Sequence, residues 1–345
     1  MRLKTLLFAA LCALTGAMAQ QKTIVIDTDR AALVLGIGND GRVRQKYLGR
    51  RLLDRTDYAA LPTGTEAYVT HGMEDYYEPA LHVNHADGNP STLLTYAGHT
   101  EKAVADGVRE TVVTLTDTVY GTEVRLCYTT YAREDVFKLH SEITNRERKP
   151  VSIEKYASAM LGLSGGEYYL TQYNGDWANE ANRHEQRLEY GKKVIDTKLG
   201  TRASMFVSPF FQLALGAPAA EETGTVLTGT LGWTGNFRFT FEQTHDGGLR
   251  LLAGINPYAS RYTLKKDETF RTPEFIFTIS QQGTGQAARN LHDWARLHQL
   301  KDGTGDRMTL LNNWEATYFD FNTEKIVKIA EKAASLGVEM MVLDD

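Results

Sequence analysis

Between residues 22 and 282 the sequence alternates apolar and polar residues in short runs, and this pattern constrains the fold most. Runs such as "ETVVTLTD", "VFKLHSEITN" and "FRFTFEQ" have a period of two, which buries one face of a strand and exposes the other. Turn-forming residues separate the runs, as at Asn39–Gly41 and Asp246–Gly248. Many short strands with regular turns are typical of a β-sandwich. The segment is long for one sandwich, so we expect a wide assembly of two sheets.

Near residue 284 the period of the apolar residues becomes helical. In "TGQAARNLHDWARLHQL" the apolar positions are spaced as on one face of a helix: Ala287, Ala288, Leu291, Trp294, Ala295 and Leu297. This spacing predicts an amphipathic helix. The segment "KDGTGD" then interrupts it, so we assign residues 284–304 to a linker helix that follows a β domain of residues 20–283.

The last forty residues have a third pattern. An apolar run, "RMTLLNN", precedes a helical segment, "NTEKIVKIAEKAASLG", and a second apolar run, "VEMMVLDD". Asn322 or Thr323 can cap the helix, and Gly337 suits its end. The second run is nearly continuous, as in strands that are buried on both faces. Strand, helix and strand at this spacing predict a βαβ unit with two parallel strands.

The N-terminus is predicted to be a secretory signal peptide spanning residues 1–19. It has positive residues, a short apolar run from Leu6 to Leu14, and a small-x-small cleavage site at Ala17–Ala19. A membrane anchor is the alternative reading, but the apolar run is too short to span a bilayer. We therefore expect an exported protein, periplasmic or secreted, with no membrane partner. Removal of the peptide would leave Cys127 as the remaining cysteine, expected to be buried and inert.

Charge and motifs argue against several classes of function. The formal net charge is −5, with no long run of either sign, whereas a nucleic-acid partner would require a basic face. Neither a Gly-x-Ser-x-Gly motif nor a glycine-rich phosphate loop is present. His82 and His85 would face opposite ways on a strand, which disfavours a shared metal ion. We therefore predict no cofactor and no metal.

The strongest chemical signal lies at the ends of the two apolar runs. In α/β barrels the functional residues follow the carboxyl ends of the strands, here Asn312–Glu315 and the pair Asp344 and Asp345. An aromatic ring beside carboxylates suits a sugar, because the ring packs on its C–H face and the carboxylates accept hydrogen bonds from its hydroxyls. A divalent-metal site and a structural cap of a following helix are the alternatives. Adjacent aspartates face opposite sides, so they do not suit the two carboxyls that attack one glycosidic bond.

These motifs resemble the start of the barrel in the α-galactosidases of glycoside hydrolase family 36. The motifs Asn-Asn-Trp-Glu and Leu-Asp-Asp occur in this order, about thirty residues apart. Four upstream segments also resemble the family: "THGMEDYYEPAL", "YNGDWANEANR", "LGTRASMFVSPFF" and "GINPYASRYTLKKDETFRTPE". The resemblance therefore extends along nearly the whole chain after the signal peptide.

The resemblance implies an all-β supersandwich domain followed by a (β/α)8 TIM barrel, of which residues 305–345 would be the first, truncated βαβ unit. It implies retaining, metal-free hydrolysis of terminal α-galactosyl residues in oligosaccharides such as melibiose and raffinose, and a possible homo-oligomer. By match, Trp314, Asp344 and Asp345 bind galactose, and Trp177 borders the site. The family's nucleophile and acid/base lie later than residue 345, so we expect an N-terminal fragment that is inactive alone.

Two departures and three alternatives accompany this reading. The segment between Gly49 and Tyr68 is shorter than in the family, with Asp54 or Asp57 as possible replacements for its aspartate, and Tyr77 stands where the family has arginine.

The alternatives are an α-N-acetylgalactosaminidase, a galactosyl-transferring relative and a non-catalytic galactoside-binding β module. The last rests on the aromatic residues Tyr168, Tyr169, Tyr173 and Trp177.

Overall fold

The computed structural model describes residues 22–73, 76–164 and 166–344, so the predicted signal peptide and Asp345 lie outside the described residues. The chain divides into two compact units between Asp293 and Trp294. The described strands of the first unit are β1 Thr23–Asp27, β2 Ala31–Ile37, β3 Val43–Arg50, β4 Thr65–Glu66, β5 Leu81–Asn84, β6 Leu94–Ala105, β7 Val108–Asp117, β8 Glu123–Tyr131, β9 Val136–Thr144, β10 Val151–Leu163, β11 Tyr168–Asn174, β12 Asn182–Arg187, β13 Gly191–Asp196, β14 Val207–Leu215, β15 Thr225–Leu231, β16 Phe237–Gln243, β17 Leu249–Ile255, β18 Tyr262–Leu264, β19 Thr269–Arg271 and β20 Phe275–Ser280.

Within the described residues these strands form three antiparallel sheets. Ten strands form the largest sheet, in the order β12-β11-β14-β15-β20-β9-β8-β7-β6, with β19 paired to β9. Six form the second, in the order β13-β16-β17-β10-β18, with β5 paired to β10. The strands β1 to β4 form a third sheet in chain order. The structure therefore agrees with the predicted sandwich of sheets and adds a small third sheet to it.

The core lies between the ten-stranded and six-stranded sheets. Phe211 of β14 is fully buried, and its ring centroid lies 5.0 Å from that of Phe239 and 4.9 Å from that of Phe241, both on β16. Phe239 and Phe241 are two residues apart, so they point to the same face of their strand. The apolar residues that recur with a period of two in the sequence thus form the buried interface between the two sheets.

Cys127 lies in β8 and is buried, as predicted. Burial, together with the nearby carboxylate of Glu142, raises the pKa of its thiol to about 12. The side chain is therefore a neutral thiol at neutral pH, and a thiol is a poor nucleophile compared with a thiolate.

Two helices belong mainly to the first unit. A single turn, α1, spans Asp57–Ala60 within the shortened segment, and α2 spans Gly283–Trp294. A π-helical turn, Ala295–Gln299, continues α2, so helical structure ends five residues before the predicted end of the linker helix at residue 304. A 3-10 turn spans Gly200–Arg202. Among the helices of the described ranges, none combines the length and the apolar composition that crossing a membrane requires.

The second unit contains the predicted strand–helix–strand arrangement. The strands are β21 Leu310–Asn312 and β22 Met340–Val342, and the helices are α3 Trp314–Thr317 and α4 Thr323–Ser335. The side-chain oxygen of Asn322 accepts a hydrogen bond of 2.9 Å from the backbone N–H of Lys325, which caps α4 as predicted. Gly337 has a φ of +83°, the left-handed conformation that ends many helices.

The two strands of this unit pair in parallel, with Leu310 opposite Met340 and Asn312 opposite Val342. The prediction that the second strand is buried on both faces is wrong for the described residues, because Met340 is 41% exposed and the rest of β22 is only partly buried. Leu310 of the first strand is also 53% exposed. Within the second unit, the helices α3 and α4 leave part of the two-stranded sheet uncovered. The (β/α)8 barrel therefore remains a prediction.

Candidate functional site

The predicted site residues of the second unit lie at one edge of its sheet. Because β21 and β22 are parallel, their carboxyl ends meet at the same edge. Asn313 and Trp314 follow the end of β21, and Leu343 and Asp344 follow the end of β22. Residues distant in sequence thus become neighbours, while the third predicted residue of this unit, Asp345, lies outside the described residues.

Asn312 connects the two strand ends. Its Nδ2 donates a hydrogen bond of 2.7 Å to Oδ2 of Asp344, and its Oδ1 accepts one of 2.7 Å from the backbone N–H of Trp314. One amide therefore orients both the carboxylate and the start of the tryptophan turn. A bond from an amide to a carboxylate is charge-assisted and stronger than a neutral one.

Asn313 fixes the same junction from the buried side. It is fully buried, and its Oδ1 accepts a hydrogen bond of 2.7 Å from the backbone N–H of Asp344. Its Nδ2 donates to Oγ1 of Thr317 at 3.0 Å, and its backbone N–H donates to the carbonyl of Val342 at 3.3 Å. The two asparagines thus hold the residues that carry the predicted binding groups.

Trp314 is half-buried and belongs to a small aromatic cluster. The ring of Tyr318 approaches the indole edge-on, with centroids 5.4 Å apart at 81°, and the ring of Phe319 does so at 4.8 Å and 86°. Edge-to-face contacts are favourable and restrict the orientation of the indole. An oriented ring and a fixed carboxylate at one sheet edge can bind a sugar, the ring through the C–H face of the sugar and the carboxylate through its hydroxyls.

Trp177 belongs to the first unit, in the loop between β11 and β12. Its side chain is 86% exposed, and its backbone N–H donates a hydrogen bond of 2.7 Å to Oδ1 of Asp176. Ala178, the next residue, has a φ of +53°, so the loop bends sharply at this point. The prediction that Trp177 borders the galactose site stays a prediction.

The other aromatic residues of this segment have structural surroundings. Tyr168 is buried in the core, and its hydroxyl donates to the carbonyl of Leu163 at 3.0 Å. The ring of Tyr173 packs on Phe210, with centroids 5.7 Å apart. Of the predicted aromatic group, Trp177 has the greatest exposure.

The residues that depart from the family pattern also have local partners. Oδ1 of Asp54 accepts hydrogen bonds from the backbone N–H of Thr56 at 2.8 Å and from its hydroxyl at 2.7 Å. The hydroxyl of Tyr77 lies 2.6 Å from Nδ1 of His245, and the guanidinium of Arg250 lies 5.3 Å from the Tyr77 ring centroid. Asp54 therefore stabilises its own turn.

Sequence reasoning predicted Trp314 and Asp344 as site residues, which stays a prediction, but it assigned no role to the two asparagines. The Asn-Asn-Trp-Glu motif contained them, yet it gave no sign that Asn312 and Asp344, 32 residues apart, share a hydrogen bond. The contribution of Phe319 to the aromatic cluster was also missed. It lies in a turn, where apolar periodicity carries no information.

Comparison with known proteins now identifies the family. Residues 41–265 match the Glycosyl hydrolase family 36 N-terminal domain, and residues 269–345 match Melibiase. Over an alignment 363 positions long, the chain is 31% identical to an α-galactosidase of Lactobacillus acidophilus, and the alignment covers 94% of this chain and 49% of that protein. It is 31% identical over 292 residues to α-galactosidase C of Emericella nidulans, covering 79% of this chain and 38% of that protein.

Solved structures give the same result. The α-galactosidase of Lactobacillus brevis superposes with a TM-score of 0.85 at 29% identity, covering 94% of this chain and 48% of that one. The α-galactosidase AgaA of Geobacillus stearothermophilus in complex with raffinose superposes with a TM-score of 0.86 at 27% identity, covering 94% and 50%. The chain thus spans between 38% and 50% of the length of these relatives. From the sandwich of sheets, the paired strand ends and these matches, we conclude that the chain belongs to glycosyl hydrolase family 36.

Proposed function

We propose that this chain is the N-terminal part of an exported α-galactosidase that hydrolyses terminal α-galactosyl residues of raffinose-type oligosaccharides with retention. Trp314, Asp344 and Asp345 are its galactose-binding residues, and residues 305–345 begin its (β/α)8 barrel. The nucleophile and the acid/base come from a later part of the barrel, so the 345-residue chain alone is inactive.

The observation that carries this proposal is the hydrogen bond between Asn312 and Asp344. It fixes a carboxylate at the carboxyl end of a parallel strand, at the sheet edge where the oriented indole of Trp314 also lies, in a chain of this family. Carboxylates at such strand ends are the usual working groups of α/β barrels. The raffinose complex of a relative supports the substrate class.

The test compares the full product of the gene with the 345-residue chain. Each is incubated with an aryl α-galactoside, melibiose, raffinose and an aryl α-N-acetylgalactosaminide, and the released sugar is measured. We expect galactose release by the full product and none by the 345-residue chain. Faster cleavage of the acetamido substrate would replace the proposal by the α-N-acetylgalactosaminidase alternative. Hydrolysis by the 345-residue chain would refute the proposed position of the catalytic aspartates.

Export is tested by separate observations. The N-terminal sequence of the protein recovered from the periplasm or the medium should begin just after Ala19. A cytoplasmic protein that retains Met1 would overturn this part of the proposal without affecting the enzymatic part.

A second candidate function is a galactoside-binding β module, which the 86% exposure of Trp177 favours. Exposed aromatic rings can stack on sugars, since they present a flat apolar face. Titration of the 345-residue chain with galactose would change its tryptophan fluorescence, and Trp177→Ala would abolish that change. A flat titration, or one that Trp177→Ala leaves unaltered, would eliminate this candidate.

A further inference from the structure

Three residues with metal-binding side chains cluster on the outer face of the ten-stranded sheet. Cys127 of β8 lies directly opposite His140 of β9, and Glu142 follows two residues later on β9. The neighbours Leu126 and Leu139 belong to the hydrophobic core. Because successive residues of a strand point to opposite faces, Cys127, His140 and Glu142 point away from the core together.

The spacing of their ligand atoms approaches that of a tetrahedral metal site. One ligand atom from each residue lies within 4.8 Å of the other two, and Nε2 of His140 is 3.6 Å from Oε1 of Glu142. With bonds of about 2.0 to 2.3 Å, two ligands of a tetrahedral Zn²⁺ are about 3.4 to 3.6 Å apart. The imidazole and the carboxylate are therefore close to this separation, and the sulfur of Cys127 lies within 4.8 Å of both.

Arg125 contacts the oxygen of Glu142 that does not face the cluster. Nη1 of Arg125 lies 2.6 Å from Oε2 of Glu142, the oxygen that does not face His140. Arg271 lies opposite Glu142 on β19, and its guanidinium pairs with Glu274 at 2.9 Å. Oε1 of Glu142 can therefore bind an ion while Arg125 holds the other oxygen, as outer partners of metal ligands usually do.

We propose that Cys127, His140 and Glu142 form a binding site for one divalent transition-metal ion of the zinc class, with a water as the fourth ligand. Thiolate, imidazole and carboxylate in a tetrahedral arrangement are ligands that zinc favours. Binding replaces the thiol proton of Cys127, which passes to the solvent, by a sulfur–metal bond. The ion thereby links β8 to β9 through their side chains, a structural role in a strand pair that no disulfide joins.

The test uses the 345-residue chain with Cys12→Ser, which leaves Cys127 as its single thiol. Co²⁺ is the probe, because a cobalt–thiolate bond produces a near-ultraviolet charge-transfer band and tetrahedral cobalt absorbs visible light. We expect both signals to saturate at one Co²⁺ per chain and to disappear when Zn²⁺ displaces the Co²⁺. We also expect Zn²⁺ to raise the midpoint of thermal unfolding. Absence of the charge-transfer band at stoichiometric Co²⁺ would overturn the proposal.

Three variants separate this site from unspecific binding. Cys127→Ser should abolish the charge-transfer band and the effect of Zn²⁺ on the midpoint, and Glu142→Gln should weaken Co²⁺ binding roughly 10-fold or more. The matched control is His99→Ala, because Nε2 of His99 lies 4.0 Å from Oε1 of Glu101 in the same sheet without a cysteine opposite. It should bind Co²⁺ unchanged.

Circular dichroism verifies that each variant is folded. Glu142→Gln changes a partly exposed side chain, so this variant still tests the site if Cys127→Ser does not fold. Stabilisation by Zn²⁺ that is equal in the parent and in either site variant would overturn the proposal. So would a cobalt signal that His99→Ala weakens as much as Glu142→Gln does.

Discussion

At the residue scale, the candidate site depends on amide side chains that position a carboxylate. Asn312 donates to Asp344, and Asn313 accepts from the backbone of the same residue. Neither asparagine needs to contact a sugar to affect its binding. Both restrict the conformations of Asp344, so that binding a hydroxyl of the sugar costs less conformational entropy.

Replacing Asn312 by alanine in the full gene product should weaken binding of the substrate. Without this bond the Asp344 side chain must be ordered when the sugar binds, at a cost of about 0.5 to 1.5 kcal/mol, so we expect KM for an aryl α-galactoside to rise about 2- to 10-fold. Asp320→Asn is the control, because the Asp320 side chain is fully exposed in the same unit. Equal kinetics for Asn312→Ala and the parent enzyme would contradict the proposed role of this amide.

A second prediction at this scale concerns acid stability. The guanidinium of Arg44 hydrogen-bonds Asp40 and lowers the pKa of that carboxyl to about 2. Since the folded pKa is below the unfolded value, the stabilisation is present above about pH 4 and is lost as the pH falls through 2. Asp40→Asn should therefore reduce the free energy of unfolding at pH 7 by up to about 1 kcal/mol, a small value because the pair is exposed.

The free energy of unfolding of the parent and of the variant is measured in urea between pH 7 and pH 2. The difference between the two values should vanish at the acid end of this range. The asparagine side chain can still accept the hydrogen bond from the backbone N–H of Arg42, so the comparison isolates the effect of the carboxylate charge. Asp106→Asn, in an ion pair whose aspartate is 85% exposed, is the control and should change less. A difference that is independent of pH would refute the electrostatic explanation.

At the element scale, the sandwich depends on a close approach between a glycine of β15 and the aromatic core. A Cβ added at Gly229 would lie 2.7 Å from Cζ of Phe211 and 2.9 Å from Cε2 of Phe275. Both rings are fully buried, so they have little space to move. The glycine therefore permits the packing of large rings on a central strand.

Gly229→Ala should destabilise the first unit by about 1 to 3 kcal/mol, the usual cost of overpacking a core. Gly98→Ala is the matched control, since Gly98 lies in β6 of the same sheet and a Cβ there would meet nothing within 4 Å. Chemical unfolding followed by fluorescence measures both. Equal midpoints for the two variants would show that the rings adjust without cost.

Periodicity predicted many strands of the sandwich and missed others, among them a strand that has no buried face. The run "FRFTFEQ" was recognised and forms β16. Asn182–Arg187 was not recognised, because every residue of this strand, β12, is exposed. It is a strand because its backbone pairs with β11 over six residue pairs. Backbone pairing leaves no periodic mark in the side chains.

At the scale of the whole molecule, the second unit exposes many apolar side chains. Phe319 is 74% exposed, Leu336 71% and Leu343 60%. Exposed apolar surface on a short sheet with open edges promotes association. The 345-residue chain should therefore self-associate as its concentration rises.

Dynamic light scattering of the 345-residue chain measures this association. The double variant Leu336→Glu and Leu343→Glu should remain smaller than the parent, because charge opposes the burial of both positions. Leu53→Glu is the control, since Leu53 is fully exposed in the first unit and its replacement should leave the particle size unchanged. Identical scattering from all three proteins would refute the role of the second unit.

The sequence by itself determined the class of each part of this protein. Alternation with a period of two specified a β-sandwich up to residue 282, and a strand–helix–strand pattern with an Asn322 cap specified the βαβ unit. These features depend on local burial and on hydrogen bonds between near neighbours, so they are visible in short windows of sequence.

Only the tertiary structure decided which distant residues act together. The bond from Asn312 to Asp344 and the juxtaposition of Cys127, His140 and Glu142 depend on the pairing and register of separate strands. Strand register follows from the packing of whole sheets, because shifting a strand by one residue exchanges its two faces. A linear sequence specifies the candidates for such sites, and the fold selects which of them meet.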